Sequence, residues 1–486
     1  METGNKDVRV LAFDLGASSG RAILGTYQAG ALRCEEIHRF ENVPLEADGH
    51  LLWDFSRLVY EIHQGMEKAG NFDSIGFDTW GVDFGLLDKQ GDLLSTPVHY
   101  RDARTAGMCE KVFERIPADA LYRRTGNQIM AINTLFQLMA FKNEQPALLE
   151  KADRLLFMPD LLAHALCGST ACELTIASTG QMLDPNTKRW DKELLSQLGI
   201  PARLLSAPVP SGTVVGEIVN QGARAKVIAV AGHDTQCAVA ALPAPGGKAA
   251  FLSSGTWSLL GTELDRPILT RESMELGFSN EIGADGKINY LKNIVGLWLI
   301  QECRRCWQED GENLSYSELA EEAANADAFR SLIDPDAEEF VPPGDMPERI
   351  RAFCQRTGQA VPLTRGAVCR CIYESLALKY RYAIGRLEHA VGHEFTALHI
   401  LGGGSNVSLL CQMTADACGV PVFAGPAEAT ALGNILIQLA ALGEISGIAE
   451  GRALIKNTQS VVRYQPGADR GVWDRAYERF LKLIDL

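Results

Sequence analysis

The chain has 486 residues, of which 46% are hydrophobic, and 46 Lys and Arg against 61 Asp and Glu give a formal net charge of −15. This length exceeds what one ordinary hydrophobic core accommodates, so we expect two domains. The negative charge disfavours nucleic acid and anionic membranes as partners. The opening METGNKDVRV lacks an apolar signal core, and no run of about 18 apolar residues could span a bilayer, so we expect a soluble, cytoplasmic protein.

The first predicted elements are three antiparallel strands, a helix and a fourth strand. Apolar runs with turn residues between them predict the three strands at 8–13, 22–27 and 32–40. Helical spacing of apolar residues follows at 52–69, and the segment SIGFDTWGVDFGLLD at 74–88 reads as one strand.

A second copy of this order begins near residue 249. The segment AAFLSSGTWSLLGTEL at 249–264 repeats the apolar strand, the small-residue turn and the strand that leaves it, and ALPAPGGKA at 241–249 has the composition of a linker. The repeat predicts two similar domains, 1–243 and 244–486, with a cleft between them to which each offers one hairpin.

The first of these turns lies in LAFDLGASSGR, residues 11–21, where an apolar run meets Asp14 and then Gly16, Ala17, Ser18, Ser19, Gly20 and Arg21. Such residues are common in ordinary turns between strands. The same backbone N–H groups, hydroxyls and guanidinium could instead bind phosphate, with Asp14 facing a metal ion. The motif alone does not decide between the two interpretations.

Two further glycine-rich turns follow predicted strands. KVIAVAGHDTQCAVAAL at 226–242 places His233, Asp234 and Thr235 at the start of a helix. FTALHILGGGSNVSLLCQMTADACGVPVF at 395–423 runs from a strand through three glycines into a helix. Glycines allow a flat group to approach the backbone, and a helix amino terminus favours anions.

Together the motifs DLGASSGR, DTWGVDFGLLD, AGHDTQCAV, SSGTWSLLG and GGGSN resemble, in their order, the FGGY carbohydrate kinases over nearly the whole chain. The resemblance implies an α/β fold of two similar actin-like (ribonuclease H-like) domains with a cleft between them. It implies ATP and Mg²⁺ as cofactors and, within the family, L-rhamnulose as the ketose phosphorylated on its 1-hydroxyl. L-Fuculose, xylulose or a similar ketose stays open, and so do an actin-like or chaperone-like ATPase and a non-catalytic sugar sensor.

The resemblance also implies residues that bind ATP and the metal. Asp14 would help to hold Mg²⁺ through its water shell. Thr256 can donate its hydroxyl to a phosphate oxygen, although Thr is also common in strand turns, and Gln301 could equally be a solvated residue on a helix. The residues implied for ATP are Ala17, Ser18, Ser19, Gly20, Arg21, Thr256, Gln301, Gly402 and Gly403.

On the sugar side the resemblance implies Gly81, His233, Asp234, Thr235 and Asn293. Amides, imidazole and backbone supply the mixed donors and acceptors that a hydroxyl-rich sugar needs. Asp234 is the expected catalytic base, and a helix cap is the alternative interpretation of this residue.

Other residues near these motifs carry weaker signals. Trp80 and Asp83 could contact the sugar, although Trp80 could equally belong to the core. The twelve cysteines are expected as thiols. Among them, Cys303 and Cys306 have the spacing of a buried helix face, which we favour over a metal site. The Pro-rich segment 334–348 is expected to be a surface loop, and the oligomeric state is undetermined.

Overall fold

The computed structural model describes residues 7–243 and 248–484. Strands occupy β1 Val8–Leu15, β2 Ser19–Gln28, β3 Ala31–Glu41, β4 Leu45–Ala47, β5 His50–Leu52, β6 Ser74–Thr79, β7 Phe84–Leu87, β8 Arg154–Phe157, β9 Cys172–Glu173, β10 Leu183–Asp184, β11 Arg189–Trp190, β12 Pro208–Val209, β13 Thr213–Asn220, β14 Ala223–Ala229, β15 Ala249–Ser254, β16 Trp257–Leu264, β17 Ser279–Ile282, β18 Ile288–Val295, β19 Ala397–Leu401, β20 Val422–Ala424 and β21 Val462–Tyr464.

The α-helices alternate with these strands. They occupy α1 Phe55–Ala69, α2 Met108–Phe113, α3 Ala118–Thr125, α4 Thr134–Glu144, α5 Pro146–Lys151, α6 Met158–Cys167, α7 Leu174–Ser178, α8 Lys192–Leu198, α9 Asp234–Ala240, α10 Arg271–Leu276, α11 Trp298–Glu309, α12 Tyr316–Asn325, α13 Met346–Arg356, α14 Arg365–Val391, α15 Ser408–Cys418, α16 Ala429–Leu442, α17 Ile448–Thr458 and α18 Arg470–Leu481. No helix in the described parts of the chain is long and apolar enough to cross a membrane.

The described residues divide into two compact units. The first contains 7–243, Glu263–Tyr290 and Ala429–Thr458, and the second contains 248–262, Leu291–Glu428 and 459–484. Residues 244–247, within the predicted linker, lie outside the described parts. The division of the chain into domains at residue 243 stays a prediction.

The first unit is built on a six-stranded sheet in the order β13-β14-β6-β1-β2-β3. Strands β14, β6 and β1 are parallel, and β1, β2 and β3 form the predicted antiparallel meander. Helix α16 packs on this sheet, and Gln438 in it donates to the carbonyl oxygen of Leu11 at 3.1 Å. The carboxyl ends of three parallel strands therefore meet along one edge, where side chains that follow them come together.

The second unit repeats this pattern. From β18 onward, its sheet runs β18-β16-β15-β19-β20-β21, with β15, β19 and β20 parallel and β16 and β21 antiparallel to their neighbours β15 and β20. Numbered by their appearance in each unit, the strands follow the order 3-2-1-4-6-5 in the first sheet and 3-2-1-4-5-6 in the second, so the first four positions repeat and the last two are exchanged. This repetition confirms the α/β fold of two similar units expected from the motifs at 11–21 and 249–264.

The predicted single strand at 74–88 is wrong, because β6 ends at Thr79 and β7 begins at Phe84. Between them Val82 has a φ of 68°, which a β-branched residue in a strand does not adopt. Its backbone N–H donates to the hydroxyl of Thr179 at 3.1 Å, and its carbonyl accepts the hydroxyl of Thr134 at 2.6 Å. Hydrogen bonds to residues distant in the sequence thus stabilise the irregular backbone between β6 and β7.

The segment 334–348 differs from the predicted surface loop. Phe340 and Met346 are fully buried, and a short 3₁₀ helix spans Glu338–Phe340. Asp334 and Asp336 accept hydrogen bonds from the buried ammonium of Lys379 at 2.7 and 2.9 Å. The segment packs into the second unit because its apolar side chains and paired carboxylates have partners there.

The cysteine predictions agree with the structure except at Cys306, which is only partly buried. All twelve cysteines lie in the described residues and are thiols. Cys303 and Cys306 are on helix α11, as expected, and Cys303 is fully buried. The thiol of Cys306 donates to the carbonyl oxygen of Gly344 at 3.6 Å.

Candidate active site

Three carboxylates lie at the ends of adjacent parallel strands in the first unit. Asp14 on β1 is in register with Asp78 on β6, and the next residue, Thr79, bridges His233, which precedes Asp234. The N–H of Thr79 donates to the carbonyl oxygen of Gly232 at 2.9 Å. The sheet therefore brings Asp14 and Asp234, which are 220 positions apart in the sequence, to one edge.

Asp234 is the first residue of helix α9 and not its cap. His233 occupies the capping position, and no side chain caps the helix. Oδ1 of Asp234 instead accepts the N–H of Thr235 at 2.5 Å and its hydroxyl at 3.2 Å. The capping interpretation thus has no hydrogen bond to support it, and Thr235 orients the carboxylate.

The carboxylate of Asp234 is partly accessible, with 31% of its side chain exposed. Desolvation by the surrounding atoms nevertheless raises its pKa; His233 acts in the opposite direction, and the charge of Asp14 raises the pKa further. A carboxylate that reaches solvent and has a raised pKa is suited to accept a proton.

Asp78 is a carboxylate that the sequence analysis missed. Burial raises its pKa well above the usual value, the charges of Asp14 and Asp234 raise it further, and a hydrogen bond from Asn434 at 2.7 Å opposes the shift. Its Oδ1 has no hydrogen-bond partner among the described residues. An acid in the middle of the apolar run SIGFDTW was the available signal.

The first hairpin differs in detail from its predicted form. Strand β1 continues to Leu15 and β2 begins at Ser19, so Asp14 and Arg21 pair across the two strands. The guanidinium of Arg21 donates to Oδ2 of Asp14 at 2.5 Å. Gly20 packs against Phe40, whose ring would overlap any added Cβ atom. The turn is thus limited to Gly16, Ala17 and Ser18, of which Ser18 is exposed and the other two are partly buried.

A bound metal ion would find few direct protein ligands here. Among the described residues no three His, Cys, Asp or Glu side chains are grouped so that they could hold a metal. Asp14 and the unsatisfied oxygen of Asp78 fit a hydrated Mg²⁺ instead, which keeps most of its water and binds one or two carboxylates.

In the second unit the structure brings together Thr256 and Gln301. Thr256 lies in the turn between β15 and β16, and its hydroxyl donates to Oε1 of Gln301 at 3.0 Å. The N–H groups of Gly296 and Trp298 both donate to the carbonyl oxygen of Thr256 at 3.2 Å, which fixes the start of helix α11 against this hairpin.

The glycine turn after β19 lies against the same hairpin. Gly402 has a φ of 78°, and a Cβ atom there would lie 3.1 Å from the carbonyl oxygen of Ser254. At Gly404 a Cβ atom would overlap the side chain of Ser254, whereas Gly403 has open space. The glycines at 402 and 404 are therefore required by packing, whereas Gly403 is exposed and has no such neighbour.

The sugar-side residues are divided between the units. Gly81, His233 and Thr235 lie in the first unit, and Asn293, on β18, lies in the second. Trp80 and Asp83 are buried, and the carboxylate of Asp83 accepts the indole N–H groups of Trp53 at 2.6 Å and Trp80 at 3.0 Å. Both residues are therefore packed in the core, which is the alternative interpretation of Trp80.

Comparison with known proteins places these features in a family. Sequence profiles of the FGGY family of carbohydrate kinases match residues 9–241 with the N-terminal domain and 250–442 with the C-terminal domain. A protein named rhamnulokinase from Bacteroides thetaiotaomicron is 45% identical over 97% of this chain and 99% of its own. Another protein of that name, from Pectobacterium atrosepticum, is 42% identical over 96% and 95%.

Solved structures show the same fold. A xylulose kinase from Lactobacillus acidophilus superimposes with a TM-score of 0.78 at 16% identity, covering 98% of both chains. A gluconate kinase from the same organism gives a TM-score of 0.77 at 16% identity, covering 99% of this chain and 98% of its own.

Proposed function

Because this chain belongs to the FGGY family of carbohydrate kinases, we propose that it transfers the γ-phosphate of ATP to the 1-hydroxyl of L-rhamnulose. The observation that carries the choice of sugar is the 45% identity, over 97% of the chain, to a protein named rhamnulokinase. The partly accessible carboxylate of Asp234, at the start of helix α9, supports the choice of base.

In this proposal Asp234 accepts the proton of the sugar hydroxyl. The hydroxyl oxygen forms a bond to the γ-phosphorus while the bond from that phosphorus to the β,γ-bridging oxygen breaks, and ADP leaves. Phosphoryl transfer has a loose transition state, so the nucleophile must be oriented early and loses its proton late. A carboxylate held by Thr235 meets both requirements, because it is fixed in place and has a raised pKa.

The remaining site residues are proposed in two groups. Gly81, His233, Thr235 and Asn293 bind the sugar. The residues proposed for ATP are Ala17, Ser18, Ser19, Gly20, Arg21, Thr256, Gln301, Gly402 and Gly403. Asp14 is proposed to hold Mg²⁺ through water, and the ion, when bound, neutralises charge on the phosphates of ATP.

The test is ADP release with MgATP and a panel of ketoses that contains L-rhamnulose, L-fuculose and xylulose. We expect the highest kcat/KM with L-rhamnulose and little ADP release without sugar. Equal rates with and without sugar would contradict a kinase, and a preference for another ketose would contradict the choice of substrate alone.

A further inference from the structure

The ring of His233 lies between two carboxylates of the first unit. Its Nδ1 is 2.8 Å from Oε2 of Glu281, and its Nε2 is 3.5 Å from Oδ1 of Asp234. Only 9% of the His233 side chain and 5% of the Glu281 side chain are exposed. The imidazole is therefore held on one side by a buried acid and on the other side faces the proposed base.

Glu281 is fixed by a chain of amides. Nε2 of Gln236, on helix α9, donates to the same Oε2 atom at 2.8 Å, and Nδ2 of Asn289 donates to Oε1 of Gln236. Helix α9 also carries Asp234, so the base and the support of Glu281 share one rigid element. Glu281 lies on β17, 48 positions from His233 in the sequence, so no local pattern could have predicted the contact.

A carboxylate beside Nδ1 determines which imidazole nitrogen carries a proton. An ionised carboxylate only accepts hydrogen bonds, so Nδ1 of His233 must donate to Glu281. A neutral ring would then turn the lone pair of Nε2 towards the carboxylate of Asp234, which is repulsive. A ring protonated at both nitrogens turns an N–H towards that carboxylate, and this arrangement is attractive.

The charges around the ring favour the protonated form. Burial alone would lower the pKa of His233, but Glu281, Asp234 and Glu173 raise it, and the net shift is upward. Glu173 reaches this turn through the N–H of Gly232, which donates to its Oε2 at 2.9 Å. Three acids from three elements therefore act on one imidazole, and their charges favour its protonated form.

We infer that Glu281 is a positioning residue for the reaction, which holds His233 as a cation with its Nε2–H directed at Asp234 and at the sugar hydroxyl beside it. The inference rests on the proposed function, in which Asp234 is the base and His233 contacts the sugar. In this role the imidazolium keeps Asp234 ionised until the hydroxyl proton arrives, and it orients that hydroxyl. In this role Glu281 acts through His233, which it contacts directly.

The experiment is a double-mutant cycle on kcat and KM for L-rhamnulose. We expect Glu281→Gln to lower kcat/KM by about 10- to 100-fold, because the amide keeps the shape and removes the charge. In a His233→Gln background the same change should alter kcat/KM by less than about 2-fold, because the imidazole through which Glu281 acts is absent. Glu281→Asp, which keeps a carboxylate, should recover part of the loss.

Glu61→Gln is the matched control. Glu61 is also buried in the first unit and also contacts a histidine, His38, at 2.6 Å. We expect wild-type kcat and KM from this variant. A Glu281→Gln variant with wild-type kinetics, or an equal loss with and without His233, would overturn the inference.

A measurement that does not use turnover separates this inference from the proposed function. With ¹⁵N-labelled histidine, the ring nitrogens of His233 are assigned by the signals lost in His233→Gln. We expect both nitrogens to be protonated near neutral pH in the wild type, and Nε2 to lose its proton in Glu281→Gln. A neutral His233 in the wild type would overturn the inference even if the protein phosphorylates L-rhamnulose. If the protein phosphorylates no ketose, the proposed function fails, and the same spectra still test the state of the ring.

Discussion

The carboxylate of Asp234 is held by the residue that follows it, since both the N–H and the hydroxyl of Thr235 donate to Oδ1. Neither hydrogen bond belongs to a helix cap. The charges of His233 and Asp14 act on the pKa of the same carboxylate in opposite directions. A single substitution can therefore separate the role of a base from that of a structural residue.

We expect Asp234→Asn to lower turnover by about 10² to 10⁴, the usual contribution of general base catalysis, while the KM for sugar changes little. The thermal midpoint should stay the same or rise. The raised pKa of Asp234 shows that the folded protein disfavours the ionised carboxylate, and the variant removes that charge. Steady-state kinetics and a melting curve measure both effects. A variant with nearly wild-type turnover would contradict Asp234 as the base.

A second residue, His99, couples stability to pH. It is buried, its Nδ1 accepts the N–H of Arg101 at 2.9 Å, and its ring stacks on Trp53. Burial, assisted by the charge of Arg101, lowers its pKa to about 3. The folded protein therefore keeps His99 neutral at a pH where the unfolded chain protonates it.

A histidine whose pKa falls on folding contributes stability that is present above its unfolded pKa and is lost as pH falls towards the folded pKa. Between about pH 7 and about pH 5 this loss amounts to about 2 kcal/mol. We expect His99→Gln to lose less free energy of unfolding over that interval than the wild type, by about this amount. Urea unfolding of both proteins at the two pH values tests this prediction. Buried acids such as Asp83 change the stability in the opposite direction with pH, but they do so equally in both proteins, so their contribution cancels in the difference. Parallel pH dependences would contradict the prediction.

Among the elements, helices α9 and α16 of the first unit approach closely. Gly433 on α16 faces the backbone carbonyl of Cys237 on α9, and a Cβ atom at this position would overlap that oxygen. Asn434, the next residue on α16, donates to Asp78 on β6. The glycine therefore determines how closely α16 approaches α9, on which Asp234 lies.

We expect Gly433→Ala to reduce the free energy of unfolding by about 3 kcal/mol or more, because backbone atoms must move to make room. Gly385 on α14 is the matched control, since it is an exposed helical glycine with nothing within 4 Å of an added Cβ. Gly385→Ala should raise stability by about 0.5–1 kcal/mol through helix propensity. Denaturant unfolding of both variants measures the contrast, and equal effects would contradict the packing argument.

At the scale of the molecule, we asked whether the acidic residues of 7–243 and 248–484 could hold a metal ion by themselves. No group of three metal-binding side chains is present in the described parts of the chain. Asp14 is already paired with Arg21. Because Asp14 already has a partner, we expect a metal ion needed for catalysis to bind together with the nucleotide.

We expect EDTA to abolish turnover with ATP but to leave the thermal midpoint of the protein without nucleotide unchanged. Added Mg²⁺ should restore the rate. Asp14→Ala should require a higher Mg²⁺ concentration for half-maximal rate, whereas Glu61→Gln should not. A fall of several degrees in the thermal midpoint with EDTA alone would show a structural metal ion and contradict the prediction.

Local patterns in the sequence were enough to predict the first strands, the helix that starts at Asp234 and the repeat at 249–264. They were also enough to identify the family. Each depends on the spacing of apolar residues and on small residues at strand ends, which are properties of neighbouring positions. The thiol state of the cysteines followed in the same way from composition.

Tertiary structure alone decided the contacts between distant residues. Glu281 meets His233 because β17 comes to the start of α9, and Asp78 meets Asn434 across 356 positions of sequence. The break at Val82 depends on the hydroxyls of Thr134 and Thr179. Segment 334–348 is likewise held by a distant residue, because Asp334 pairs with Lys379 on helix α14. A hydrogen bond between remote residues leaves no periodic signal in the sequence, because its partners share no local spacing, so only the folded chain shows it.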